Sequence, residues 1–571
     1  MSAAAFTLRD YAVLADGQRG ALVDPHGGIA FLCFPRWHDP AVLSSLLGGQ
    51  GAYSVTPRER FVWGGHYEDP GLVWRSRWIV GDCVIECRES LARPARADRL
   101  ILLRRVLAVR GPARVRVRLD LRADWDREPP HDLSCGEDGA WRGRLADAPM
   151  AWHGAGAARR SGAGALEIEL DVSEGAHHDL VLVLGDDGPI APADQLWEQT
   201  EAAWRDDVPA LEDTVAPRDA RLACAVLQGL TTPGRGMVAA VTTALPERAE
   251  AGRDFDYRFV WIRDQCYAGQ AAARAGVPAL LDEAVTAVRE RLLESGDQLA
   301  PATTIGGDPV PRTSHMGLPG YPGSNDQIGN QVRDQFQLDA FGESLSLFAA
   351  AARLDRLTGE DHRAAALAAE AVARRWREPG AGVWEIELRH WTHSRLSCVA
   401  GLRAMAEHSA EGPAARWREL AGVLMGELEA TSLTRDGRWR RAPDDDRLDA
   451  ALLNGAIRGA VAPEDPRSVA TRRAVGEALG REGYVYRFEH DAPLGETEGA
   501  FLLCGFWMAQ ASALEGRHTE AVRWFERGRS ACGSPGLLSE ELDVEQRQLR
   551  GNLPQAFVHA ALLESAAALA P

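Results

Sequence analysis

With 571 residues the chain is too long for one ordinary hydrophobic core, and two domains are the first expectation. Its 64 basic and 82 acidic residues leave a net charge of −18, which argues against nucleic acid and against anionic membranes, both of which select a basic surface. Every basic residue is Arg, so a Schiff-base Lys, an ordinary pyridoxal-phosphate site and the Lys of a phosphate-binding Walker loop are all excluded.

Residues 1–10 lack the basic start and apolar run of a secretory signal, and no later run approaches the roughly 18 apolar residues of a membrane helix. A cytoplasmic location is the expectation. Strand character follows: Ile101 to Leu107, the strict alternation of Arg114 to Leu119, Ala165 to Leu170 and Leu180 to Leu184, separated by Gly, Pro and Asp clusters. Short strands at this spacing predict an antiparallel sandwich over 1–190. Gln195 to Asp206 is helical in composition, within a helical linker at 191–218 that ends at the helix start Pro217-Arg218-Asp219. From 219 to 571 apolar residues recur at helical spacing. About twelve helices are expected there, starting near 219, 262, 279, 331, 361, 392, 413, 448, 465, 499, 518 and 553. Twelve helices without intervening strands fit a double ring of six inner and six outer helices; a solenoid of helical pairs would need a fixed-period repeat, and none is visible. The 9 Cys are scattered, form no CxxC pair or zinc spacing, and read as reduced, mostly buried thiols.

Polar-aromatic segments precede the second helix (Tyr257 to Asp264), the fourth (Gly320 to Asn330), the sixth (Trp384 to His393), the tenth (Tyr486 to Glu498) and the twelfth (Glu540 to Gln555). All are even-numbered. In an alternating double ring such loops emerge on one face and converge on one pocket.

Two of these segments carry isolated carboxylates of the kind that acid/base cleavage of a sugar–sugar bond requires. Trp384-Glu385 follows the loop Pro379-Gly380-Ala381-Gly382, and an indole beside Glu385 would desolvate it, which suits a general acid. Glu540-Glu541 lies between Gly536 and Gly551, directly before the apolar helix that starts near 553; a base that activates water is the reading, since no His or acid spacing supports a metal. Trp261 offers an apolar wall. Arg263 and Asp264, being adjacent, are expected not to face each other and to be free for the hydroxyls of one ligand. Arg487 could fix sugar hydroxyls, with Glu498 as a weaker candidate beside it. The 17 Trp serve either core packing or stacking on sugar faces.

Taken together, Asp10-Tyr11-Ala12-Val13-Leu14 through Phe34-Pro35-Arg36, Trp261-Ile262-Arg263-Asp264, Gly499-Ala500-Phe501 to Trp507, and Glu540 to Phe557 resemble glycoside hydrolase family 15 over nearly the whole length. That family comprises the glucoamylases, glucodextranases and bacterial trehalase-like proteins. The resemblance implies an N-terminal β-supersandwich followed by an (α/α)6 barrel, and inverting, exo-acting hydrolysis of small α-glucosides that releases β-glucose. It also implies Glu385 as general acid and Glu540 as general base. Tyr257, Trp261, Arg263, Asp264, Trp384, Arg487 and Glu541 are then the substrate-binding residues, and neither a metal nor an organic cofactor is required. Inversion needs a water between base and sugar, with the carboxyl groups roughly 6.5–9.5 Å apart. Two departures from the family bear on specificity. Asn325 to Asn330 lacks the Arg that many bacterial relatives carry there, and the segment from Glu385 to Trp391 is short. Trehalase, isomaltose-type and maltose-type specificities therefore stay open. An inverting disaccharide phosphorylase can use the same architecture but would dispense with Glu540, and a non-catalytic sugar sensor would not need both carboxylates.

Overall fold

The structure, a computed structural model, describes residues 5–162, 164–186, 188–248, 253–488 and 499–570. The alternation in the strand Ala113–Asp120 sends Val115, Val117 and Leu119 inward while Arg114, Arg116 and Arg118 face solvent or its edge. That strand pairs antiparallel with Leu166–Val172 on one side and Ala52–Pro57 on the other, with Val117 opposite both Ile168 and Val55. The sheet holds eight strands and continues through Gly28–Cys33, Gly20–Val23 and Ala12–Ala15. A second eight-stranded antiparallel sheet runs in the order His131–Cys135, Trp141–Leu145, Ala148–His153, His177–Gly185, Arg99–Arg110, Cys83–Leu91, Val73–Val80 and Val62–Glu68. Their facing side chains form one core, in which the Trp152 indole donates to Tyr53 Oη at 3.1 Å. Arg104 and Glu89, both fully buried, make an ion pair there, and Arg104 also donates to the carbonyls of Tyr53 and Gly27, so the charges are not orphaned.

One left-handed turn, α1 (Ala123–Asp126), and the helix α2 (Ala193–Asp207) belong to this half. The helical half begins with α3 (Pro217–Leu230), whose Pro occupies the first turn where no N–H is needed. Then follow α4 (Ile262–Ala275), α5 (Pro278–Ser295), α6 (Asp339–Ala352), α7 (Gly359–Arg375), α8 (Thr392–Ala406), α9 (Glu411–Thr431), α10 (Asn454–Ile457), α11 (Pro466–Ala478), α12 (Leu502–Leu514), α13 (His518–Arg529) and α14 (Ala556–Ala568). Two starts differ from expectation. The fourth begins at Asp339, because Gln331–Asp334 forms only a 3-10 turn capped by Asn330; the eighth is a 3-10 turn, Ala450–Leu453, leading into the short α10.

The helices α4, α6, α8, α10, α12 and α14 touch in succession, and α14 returns to α4, which closes an inner ring. α6 and α12 are apolar nearly all round and buried nearly throughout, as inner-ring helices should be. The outer helices α5, α7, α9 and α13 each lie against an inner neighbour. Among the described residues no helix is long and apolar enough to cross a membrane, and all nine cysteines are unpaired thiols.

Candidate active site

The loops that lead into the inner helices meet around a cavity of about 530 Å³, within the range of small-ligand sites. Tyr257 and Trp261 come before α4, and Arg263 and Asp264 from its first turn; before α6 come Asn330 and Gln335, and before α8, Trp384, Glu385 and Ile386. Arg487 and Phe501 precede α12, and Glu540 and Gln555 precede α14.

Glu540 lies at the end of the Gly-rich loop, one residue before the strand Glu541–Asp543, which pairs with Ala500–Phe501 and Gln548–Arg550. The residue is 4 % exposed, and its carboxylate accepts from Tyr257 Oη at 2.8 and 3.0 Å. Burial pushes the Glu540 carboxyl well above the usual carboxylate range, and the neighbouring Glu247 adds to this; the Arg487 guanidinium and the Tyr257 hydrogen bond oppose it. Burial likewise keeps the Tyr257 phenol protonated, and hence a donor. Gly551 is the residue that permits this arrangement: its φ is +79°, and a Cβ there would stand 3.1 Å from Glu540 Cβ and Oε2. The loop is anchored to α14 by Leu538 N–H, which donates to His559 Nε2 at 3.2 Å; full burial pulls the imidazole pKa down to about 3 and so keeps it a neutral acceptor.

Glu385 takes up a left-handed backbone conformation, φ +56°. Its side chain is 21 % exposed and faces the cavity. Oε1 accepts from Trp261 Nε1 at 2.8 Å and from Arg263 Nη1 at 3.0 Å. Tyr257 packs edge-on against Trp261 with ring centroids 5.7 Å apart, so a continuous run of contacts links Glu385 to Glu540 through Trp261 and Tyr257.

Three readings of the sequence need correction. Arg263 and Asp264 do pair, Nε to Oδ1 at 2.9 Å, because the guanidinium of a first-turn Arg can swing back past its own backbone. Asp264 Oδ2 stays buried without a protein partner and borders the cavity, an acceptor suited to a ligand hydroxyl. The indole on Glu385 is that of Trp261 and not its neighbour Trp384, whose Nε1 instead donates to Asp449 Oδ1 at 2.8 Å while its ring packs on Phe501 and Trp507. Glu541 does not border the cavity: strand alternation turns it away, where it is fully buried, pairs with Arg487 at 3.2 Å and accepts from Gly499 N–H at 2.8 Å. Glu498 lies outside the described residues. Asn325 to Asn330 braces the loop before α4: Gly329 N–H donates to Asp256 Oδ2 and Asn330 Nδ2 to the Asp256 carbonyl.

Glu247 and Asp449 were missed. Asp449 carries a visible signal, an N-capping Asp before the apolar run Ala450–Leu453; its Oδ1 accepts from Ala451 N–H and from Trp384 together. Glu247 follows the strand Thr243–Pro246 and carries none, since only the folded chain brings it to Glu540. Among the described residues one group, His177, Asp179 and Asp194 on the β-sheet half, could hold an ion; its two carboxylates already pair with Arg105, and none of the three borders the cavity.

Glu385 and Glu540 both border one cavity at the loop end of a closed ring of helices, and the family match identifies this architecture as that of a glycoside hydrolase. Residues 221–567, more than half of the chain, match the family described as Glycosyl hydrolases family 15, and residues 1–159 match the one described as Trehalase-like, N-terminal. The chain belongs to glycosyl hydrolase family 15 and is an α-glucoside hydrolase. A trehalase of Mycobacterium tuberculosis is 28% identical over 98% of this chain and 89% of its own length, and one of Mycolicibacterium smegmatis is 27% identical over 98% and 90%. A bacterial glucoamylase solved with acarbose shares the fold, with a TM-score of 0.70 at 13% identity over 98% of this chain and 93% of its own.

Proposed function

We propose that the protein hydrolyses trehalose with inversion, Glu385 acting as general acid and Glu540 as general base. The observation that carries the linkage is similarity over 98% of the chain to two trehalases. The arrangement of the cavity supports the chemistry. The Glu385 proton goes to the glycosidic oxygen as the C1–O bond breaks. Glu540 takes a proton from a water whose oxygen bonds to C1 on the opposite face. One trehalose then gives one β-glucose and one α-glucose, and proton exchange with solvent restores both carboxyl groups. Trp261 and Arg263 hold Glu385 toward the scissile oxygen, while Asp264 Oδ2 and Arg487 offer an acceptor and a donor for hydroxyls of the bound glucose.

The test is incubation with trehalose, kojibiose, nigerose, maltose and isomaltose, with the products followed by anomer-resolved NMR. Trehalose should be the preferred substrate, with equal β- and α-glucose at early times. Maltose cleavage without trehalose cleavage would overturn the linkage, and a requirement for phosphate would overturn hydrolysis. Glu385→Gln and Glu540→Gln should each remove turnover by a factor of about 10³ or more while the protein stays folded.

A further inference from the structure

Behind the base stands a carboxylate with no assigned part in the reaction. Glu247 is 4 % exposed and borders the cavity. Its Oε1 lies 3.4 Å from Tyr257 Oη, the hydroxyl that donates to Glu540. Its Oε2 lies 3.2 Å from Arg253 and 3.7 Å from Arg487. The two glutamates lie side by side under Gly551, whose missing Cβ would stand 3.1 Å from Glu540 Oε2 and 3.8 Å from Glu247 Cγ. The backbone joins the same two segments, Gly551 N–H donating to the Pro246 carbonyl at 2.9 Å.

We propose that Glu247 is a positioning residue for the base: it shares Tyr257 and Arg487 with Glu540 and sets the pH at which Glu540 can accept a proton. This rests on Glu540 being the base. Two carboxyl groups that share a buried site do not both ionise readily, so the pair holds a proton to higher pH than a lone carboxylate would. Among the described residues, the other charged or titratable groups about the pair include Tyr257 and Arg253, then Arg487 with Glu541 beyond it, and Arg248 and Glu385 at the cavity wall. The direction of the Glu540 shift agrees: burial is the largest cause, and Glu247 is the next.

The experiment is the pH profile of kcat/KM on trehalose, or on whichever α-glucoside of the panel is cleaved, for the full-length wild type, Glu247→Gln and Arg253→Gln. Removing the like charge should move the acidic limb of Glu247→Gln to lower pH by about one unit. Removing the cation should move that of Arg253→Gln to higher pH. Arg253 lies closer to the surface, so its variant still reads the coupling if Glu247→Gln fails to fold. Glu247 acting only as packing would lower kcat and leave both limbs in place, which would overturn the proposal. An active Glu540→Gln would instead overturn the base assignment beneath it.

Discussion

At the scale of the residue, Glu540, the proposed base, is held at a cost to stability. A carboxyl whose folded-state pKa is raised contributes stability that is fully present below its ordinary value of 4.5 and is lost as pH rises through the folded value. At neutral pH Glu540 therefore costs stability, because its charge is favoured in the unfolded chain. Glu540→Gln keeps the shape and removes the charge. It should melt at a higher temperature than the wild type at pH 8, with the difference shrinking as the pH falls toward 4. A variant less stable than wild type at pH 8 would mean that Arg487 and Tyr257 outweigh the desolvation of Glu540. The Glu540–Glu541 doublet also shows what neighbouring identical residues conceal: one carboxylate faces the cavity and the other, one step along the strand, is a buried partner for Arg487.

At the scale of the element, the site depends on how closely the inner helices approach. Gly342 on α6 and Gly401 on α8 bring these helices backbone to backbone. A Cβ on Gly342 would stand 2.5 Å from Cys398 N, and one on Gly401 would stand 2.2 Å from the Gly342 carbonyl oxygen. Neither neighbour is a side-chain tip that could move aside. Gly342→Ala should destabilise the protein by about 1–3 kcal/mol through overpacking, measurable by denaturant unfolding. Because the chain before α8 also carries Glu385, kcat should fall as well. The helix starts were legible where chemistry marks them, as at Pro217, Pro278 and Pro466. They were less so before α6 and α10, where Asn330 and Asp449 cap 3-10 turns and a capping residue by itself does not tell a 3-10 turn from an α-helix.

At the scale of the whole molecule, the β-sheet half is fitted to the barrel at the cavity's own loop. Arg258, next to Tyr257, is buried and forms a two-point ion pair with Asp256 at 2.9 and 2.7 Å. The same guanidinium donates to the Asp39 carbonyl and lies over the Trp125 ring at 5.1 Å, both in the N-terminal half. Trp37 Nε1 donates to Thr232 Oγ1, and Gly17 N–H to the Gly229 carbonyl. The largest apolar cluster includes residues of both halves. Calorimetry should accordingly show one cooperative transition. Arg258→Gln, which strands the Asp256 carboxylate in the interior, should cost about 3–5 kcal/mol and lower kcat/KM together. Two separate transitions, or a shift in one half alone, would show that the halves are energetically independent.

The sequence by itself determined the periodicities, 2.0 in the first third and 3.6 thereafter, because each is set by which side of one element must leave water. It also marked the aromatic and charged segments before alternate helices, including Tyr257, Glu385 and Glu540, because such residues are poorly explained as core. Only the tertiary structure decided which of these groups meet. Trp261 rather than Trp384 reaches Glu385, Arg263 binds its own neighbour, and Glu247 comes to lie beside Glu540. Hydrogen bonds and charge pairing act over a few ångströms of space whatever the separation along the chain, so they are absent from any local pattern and arise only when the ring of helices closes.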